Sequence, residues 1–240
     1  MKEKINLFDK IKEKRFAPGE GVFEPIPEQG IKRFIFLLRT HFWKLISLNL
    51  LTVLFSIPII TIPAALCGMN RVLIKLTVEG NCFLWTEFIQ EFKANLFKGL
   101  PFGLFAAFTL FDAYYFFSLS ISTQNGKINI FMAAVGFLFL VFTILFFSYV
   151  FVLLPAIDLK NRHIARNAFI LMLTEWKINM IILGSVTITA VSVTIGFPYT
   201  IFFLTVISIS FMQFIICSAI NEPLQRRIVK PYLEQDAADN

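Results

Sequence analysis

The sequence predicts an all-α, multi-pass integral membrane helical bundle, with about five to six membrane helices and two amphipathic interfacial helices. Three observations predict it. First, 57% of the 240 residues are apolar and only 16% are charged. A soluble domain carries about 45–50% and about 25%, and a fold of this size has too little interior to hide the difference. Disordered chains are polar and charge-rich, so disorder is excluded as well. Second, four long stretches are almost free of Asp, Glu, Lys and Arg: Leu45–Asn70, Gly99–Phe111 resuming after Asp112, Ile128–Ile157, and Ile178–Asn221. Third, the basic residues lie between those stretches and crowd to one side of them.

Residues 1–30 hold Pro18-Gly19, Gly21, Pro25, Pro27 and Gly30 and read as an irregular cytoplasmic tail. They are too long and too mixed in charge for a signal peptide. From Ile31 to Lys44 the chain turns basic and aromatic, with Lys32, Arg33, Arg39 and Lys44 among Phe34, Phe36, Phe42 and Trp43. That mixture suits the headgroup region, where long basic side chains snorkel to water.

Residues 31–221 form a single transmembrane helical domain. Its first helix is expected near 42–57 and its second near 61–78. Pro58 and Pro63 separate them: each removes a backbone donor and biases the residue before it away from the helical region. Charge supports the return. Of the 22 Lys and Arg residues, 10 precede Leu45. A single crossing of Leu45–Asn70 would strand three moderately basic segments outside. A crossing and return leaves only Lys127 outside and 21 inside, as the positive-inside rule requires. The return places Arg71 and Lys75 on the descending arm, and charges there must face protein or snorkel. A five-crossing or re-entrant arrangement of 45–78 stays open beside the hairpin.

In 82–98 the apolar positions Trp85, Phe88, Ile89, Phe92 and Leu96 share one helical face, with Glu87, Glu91, Lys93 and Asn95 elsewhere. In 162–177 Ala165, Ala168, Phe169, Met172 and Trp176 repeat the spacing. Both read as interfacial helices on the cytoplasmic leaflet, or as partner-docking surfaces. Membrane helices follow near 99–121, 128–157, 178–195 and 198–220, the last two parted by Gly196-Phe197-Pro198. Residues 222–240 read as a cytoplasmic tail, so both termini are cytoplasmic.

Chemistry-bearing residues are few. Asp112 is the one acid inside an apolar run, a candidate for a proton or cation relay. Tyr114, Tyr115, Ser118, Ser120 and Ser122 follow it, as at an outer aromatic belt, and favour a structural reading. Asp158 opens a basic segment after Pro155. His41 and His163 sit in basic surroundings with no partner at metal-ligand spacing. Cys67, Cys82 and Cys217 form no C-x-x-C pair and no disulfide framework. No phosphate-binding, dinucleotide, zinc-protease or nucleophile-elbow motif occurs. The chain is therefore read as non-enzymatic, with no catalytic residue, cofactor or metal. The net charge of +6 lies in loops between apolar runs, which argues for the lipid bilayer and against nucleic acid as its partner.

The stretch Phe42–Leu100 resembles the YesL family, small polytopic membrane proteins of Gram-positive bacteria. Pro58, Thr61, Pro63-Ala64, Arg71, Trp85, Phe88 and Phe92 carry the likeness, and Pro155, Asp158 and Asn167-Ala168 extend it. Ile62 departs from the glycine more usual there. The family is itself a domain of unknown function. The resemblance implies a bacterial plasma membrane and an accessory role beside carbohydrate uptake, such as an ABC-type sugar permease. The leading expectation is a non-enzymatic, partner-binding accessory protein, with self-association as a further mode. The alternative is a small solute transporter or channel with Asp112 or Arg71 on its pathway.

Overall fold

The computed structural model describes residues 31–121, 129–195 and 208–229. These residues form nine α-helices and no strand. The expected 1–30 tail, the loop after Ile121 and the Gly196–Pro198 break lie outside them.

Helix α1 (Ile31–Thr40) and α2 (Phe42–Phe55) meet at a 73° bend. On α1, Leu37 is buried and Phe34 stacks on Phe214 (4.8 Å, 21°), while Lys32 and Arg39 stay exposed. The basic, aromatic stretch is thus a helix packed on the bundle. Helix α2 stops at Phe55. The Thr61 hydroxyl reaches the carbonyls of Phe55 and Pro58 (2.6 and 2.7 Å) and holds the turn shut. Helix α3 (Ile62–Glu79) then returns, with Pro63 in its first turn where a missing N–H costs nothing. It ends at Gly80, whose φ of 78° is the left-handed cap that suits glycine. The proline pair thus parts two helices where the sequence places the break.

Helix α4 (Leu84–Asn95) runs antiparallel on α3. The apolar face of 82–98 is in part covered by protein. Phe88 and Phe92 are buried in protein against Phe55, with ring centroids 5.5 and 4.9 Å away. Gly68 on α3 creates the space: a Cβ there would lie 2.9 Å from the Phe88 carbonyl oxygen and 3.1 Å from its ring. Only Trp85 of the expected face is strongly exposed.

Helices α5 (Leu100–Ile121) and α6 (Ile130–Ala156) form the longest antiparallel pair. The Asn129 side chain caps α6 by accepting from the Met132 N–H. The second half of α6, from Leu145 to Pro155, is buried almost throughout and forms the centre of the core. Helix α7 (Asn161–Thr174) lays Ile164, Ala168 and Leu171 on that core, α8 (Trp176–Ile195) leads away from it, and α9 (Ile209–Leu224) packs against α2, α3 and α8. The last helix passes the expected end at 220 and continues as a π turn over Gln225–Val229.

Among the described residues, four segments are long and apolar enough to cross a membrane: Ile59–Glu79, α5, α6 and α8. Counting the bent α1–α2 pair makes five. The apolar windows of α5 and α8 are only 17% and 11% buried in the chain, so they offer their sides to lipid.

Candidate functional site

The polar residues of the bundle gather in two places. The first is the seam between α3 and α4. Arg71 and Lys75 are four apart on α3, and Glu87 and Glu91 are four apart on α4. Side chains four apart share a helical face, so two antiparallel helices can match both pairs at once. Arg71 Nε lies 3.9 Å from Glu87 Oε2 and 3.9 Å from Glu91 Oε2, while Lys75 Nζ is paired with Glu87 Oε1. The Arg71 Nη1 donates to the Pro155 carbonyl at 3.1 Å. That carbonyl belongs to the last turn of α6, where no intrahelical donor reaches it. Asn95, buried at the end of α4, donates its amide to Glu91. Burial pushes the Glu91 carboxyl above its ordinary range, against the opposing pulls of Asn95 and Arg71. The bases expected to be costly on the descending arm are thus paired with carboxylates at a half-buried seam.

Below the seam, an open groove of about 370 Å³ is lined by Lys75, Glu79, Asn81, Cys82, Phe83 and Glu87. The α1–α2 bend closes its rim. Arg33 donates to the Val78 carbonyl (2.8 Å), His41 Nε2 meets the Gly80 carbonyl (2.9 Å), and Lys44 donates to Asn81 Oδ1 (2.6 Å).

The second place is the helix core. Asn49 Oδ1 accepts from Ser210 N (3.0 Å) and Ser210 Oγ (3.2 Å). Asn70 donates to the Phe151 carbonyl (2.8 Å) and accepts from Cys217 Sγ (3.3 Å). Tyr149 donates to Asn179 Oδ1 (2.9 Å), and Asn179 donates to the Met172 carbonyl (2.6 Å). Each link joins two helices, so these amides act as cross-braces where lipid supplies no partner.

A family model described as "Protein of unknown function, DUF624" matches residues 45–115. No curated protein and no solved structure matches the chain. The matched segment holds the α2–α3 hairpin, all of α4 and most of α5, and therefore the whole α3–α4 charge ladder. The match brings no activity with it.

Of the residues singled out by sequence, Arg71 lies in the seam and Asp112 lies apart from it. Asp112 is half-buried on α5, about 18 Å along the helix from Leu100, and has no hydrogen bond or ion pair among the described residues. Asp158 pairs with Lys98 (2.8 Å), and that exposed pair ties the start of α5 to the end of α6. His163 is exposed on α7. Cys67 and Cys217 are fully buried and Cys82 half-buried. Among the described residues no group of three His, Cys, Asp or Glu could hold a metal. Glu87, Glu91 and Asn95 were not singled out by sequence, which set them only off the apolar face of 82–98. The signal was present in the matched four-residue spacings of 71/75 and 87/91.

Helix α7 differs from α4. Its rear face is sealed: Ile164, Ala168 and Leu171 are at most 2% exposed. Its outer face starts basic with Arg162, His163 and Arg166, and continues apolar with Phe169, Ile170 and Leu173, all exposed. An open cleft of about 310 Å³ at the α7–α8 corner is lined in part by Glu175, Trp176, Lys177 and Arg226. There Glu175 Oε1 receives Arg226 (3.0 Å) and Arg227 (2.7 Å), anchoring the end of α9.

Proposed function

We propose that the chain is a non-enzymatic accessory membrane protein that binds a partner through the outer face of α7. One observation carries the reading: a helix firmly backed on the core presents three exposed apolar side chains directly after three exposed basic ones. A buried rear face costs such a helix little ordering on binding, and its basic half suits an acidic surface at the membrane boundary. The resemblance to the YesL family supports a transport permease of carbohydrate uptake as the partner class, in a bacterial plasma membrane with both chain ends cytoplasmic.

The test is capture from native membranes in mild detergent with Arg162→Glu/Arg166→Glu and Phe169→Glu variants. Both are expected to fold and to lose a partner that the wild type retains in fixed ratio. Unchanged capture by both variants would overturn the reading. Phe88, which sequence offered as the equivalent contact, is enclosed by α2 and α3 and is unsuitable for that test.

A transporter is the second reading, and Asp112 favours it: a half-buried acid on a spanning helix, unpaired among the described residues. Loss of solute flux with Asp112→Asn would support it, and unaltered flux would remove it. Arg71 is less suited, since its guanidinium is committed to Glu87, Glu91 and Pro155.

A further inference from the structure

We infer that the α2–α3 hairpin does not cross the membrane but enters and leaves by one face, its isoleucine tip seated among the acyl chains of the near leaflet.

The argument is one of register. Charges mark one end of the spanning helices: Lys98 stands before α5, Asp158 after α6, and Glu175 and Lys177 at the start of α8. The Lys98–Asp158 pair fixes two of these ends at one level. Arg71 belongs to the same level, because its guanidinium binds the Pro155 carbonyl three residues before Asp158, and neighbouring Asn70 binds the Phe151 carbonyl. From Arg71 back to the start of α3 at Ile62 is nine residues, about 13 Å of helix. The turn adds a few ångströms. A hydrocarbon core is about 30 Å thick, so the hairpin ends about halfway.

The α5 contacts give the same answer independently. Pro63 packs on Gly103, where a Cβ would collide with the proline ring, and a Cβ at Gly99 would lie 3.4 Å from Pro63. Both glycines lie at the start of α5, which continues for 18 residues beyond Gly103. The tip therefore sits beside the opening turns of a helix that goes on for about 27 Å more. Ile57, Ile59 and Ile60 at this tip are 72%, 80% and 70% exposed, and no charge occurs between Leu45 and Asn70. Exposed isoleucine with no protein cover belongs in hydrocarbon. The turn's polar groups are satisfied within it: Thr61 N–H and hydroxyl both reach the Pro58 carbonyl, as buried irregular backbone requires. On the other side of Arg71, Lys75 and Glu79 fall in the headgroup and aqueous region, beside the α1–α2 bend.

The experiment uses the full chain carrying Ile59→Cys with Cys82→Ser; the two remaining thiols, Cys67 and Cys217, are fully buried. Sealed vesicles of each orientation are treated with a membrane-impermeant maleimide. The expected result is no labelling from either side and full labelling once detergent opens the bilayer. Labelling from the face opposite the charged helix ends would show a complete double crossing and overturn the inference. Labelling from the charged face would place the tip in water and overturn it equally. A bimane attached in detergent and returned to vesicles should then be quenched by nitroxide carried on the lipid chains; absence of quenching refutes seating in lipid. Ile59 is largely exposed, and a wild-type melting temperature for the variant checks that it folds.

Discussion

Replacing Phe88 by alanine tests whether α4 is a packed element or a surface one. The ring is fully buried, 5.5 Å from Phe55 and 6.2 Å from Phe92. Removing an enclosed phenylalanine ring costs about 3–5 kcal/mol, because the cavity persists after the transfer term is lost. Two ring pairs vanish with it, which favours the upper half of that range. One kcal/mol moves the melting temperature by about 2–4 °C in a chain of this length, so Phe88→Ala should melt about 6–20 °C lower. Phe169→Ala is the control. Its side chain is 45% exposed, and truncation there forfeits about 1 kcal/mol, or about 2–4 °C. Cys67 and Cys217, buried in the core, supply the assay: a thiol-reactive dye reports their exposure during a thermal ramp in mild detergent. If Phe88→Ala melted within about 3 °C of wild type, or Phe169→Ala fell as far, the protein-packed reading of α4 would be wrong.

Gly68→Ala attacks the same contact from the opposite side; its Cβ meets the Phe88 backbone oxygen at 2.9 Å, so it should destabilise by about 1–3 kcal/mol in the same melt. The Phe88→Ala change should not rescue it, since backbone is the obstacle. Glu91 gives a pH test. Its carboxyl titrates above the unfolded value because burial opposes charge, so the folded state holds the proton more tightly. Stability then declines as pH rises from the unfolded carboxylate range through the raised one. Glu91→Gln should melt at or above wild type near pH 7.5, with the gap closing near pH 4; a variant that melts lower at neutral pH would show the carboxylate to be a net stabiliser. Burial also pushes the Cys82 thiol up, with Lys44 pulling the other way. Since the thiolate is the reacting form, its maleimide labelling should accelerate about tenfold per pH unit between about pH 7 and 9, while Cys67 and Cys217 stay silent until unfolding.

Much of the fold was legible because its signals are local. Two prolines five residues apart announce a turn, and the structure puts one at Ser56–Thr61. Charge-free runs predict α5, α6 and α8 within a few residues. The apolar face of α4 was read correctly as to composition, and the structure adds that Phe88 and Phe92 on it pack against Phe55. Periodicity identifies an apolar stripe but does not say whether lipid or protein covers it. Gly68, which lets Phe88 approach, looks like any other helical glycine in the sequence. The same blindness hid the charge ladder. Glu87 and Glu91 were polar positions off the apolar stripe, and only their four-residue spacing, matched by Arg71 and Lys75 twelve or more residues upstream, points to the pairing. Asn49 and Ser210 are 161 residues apart, so no local pattern could have joined them.

The ladder and the turn answer one physical problem. A hairpin that dips into lipid must carry its chain back through the headgroup level within a few residues. On α3 that passage falls at Arg71, between an apolar tip and a charged tail. Left to itself, Arg71 would have to snorkel, and Lys75 one turn on would compete for the same water. Helix α4 removes the conflict by laying two carboxylates along the two bases, while Phe88 and Phe92 lock it beside Gly68 and Phe55. The hydrophobic contact fixes the register in which the charges can pair, and the paired charges fix the depth at which the hairpin rests. Moving Arg71 one turn toward the tip, by combining Cys67→Arg with Arg71→Ala, should therefore leave Glu91 without its arginine and draw the hairpin outward, which the maleimide accessibility of Ile59→Cys would register as new labelling from the charged face.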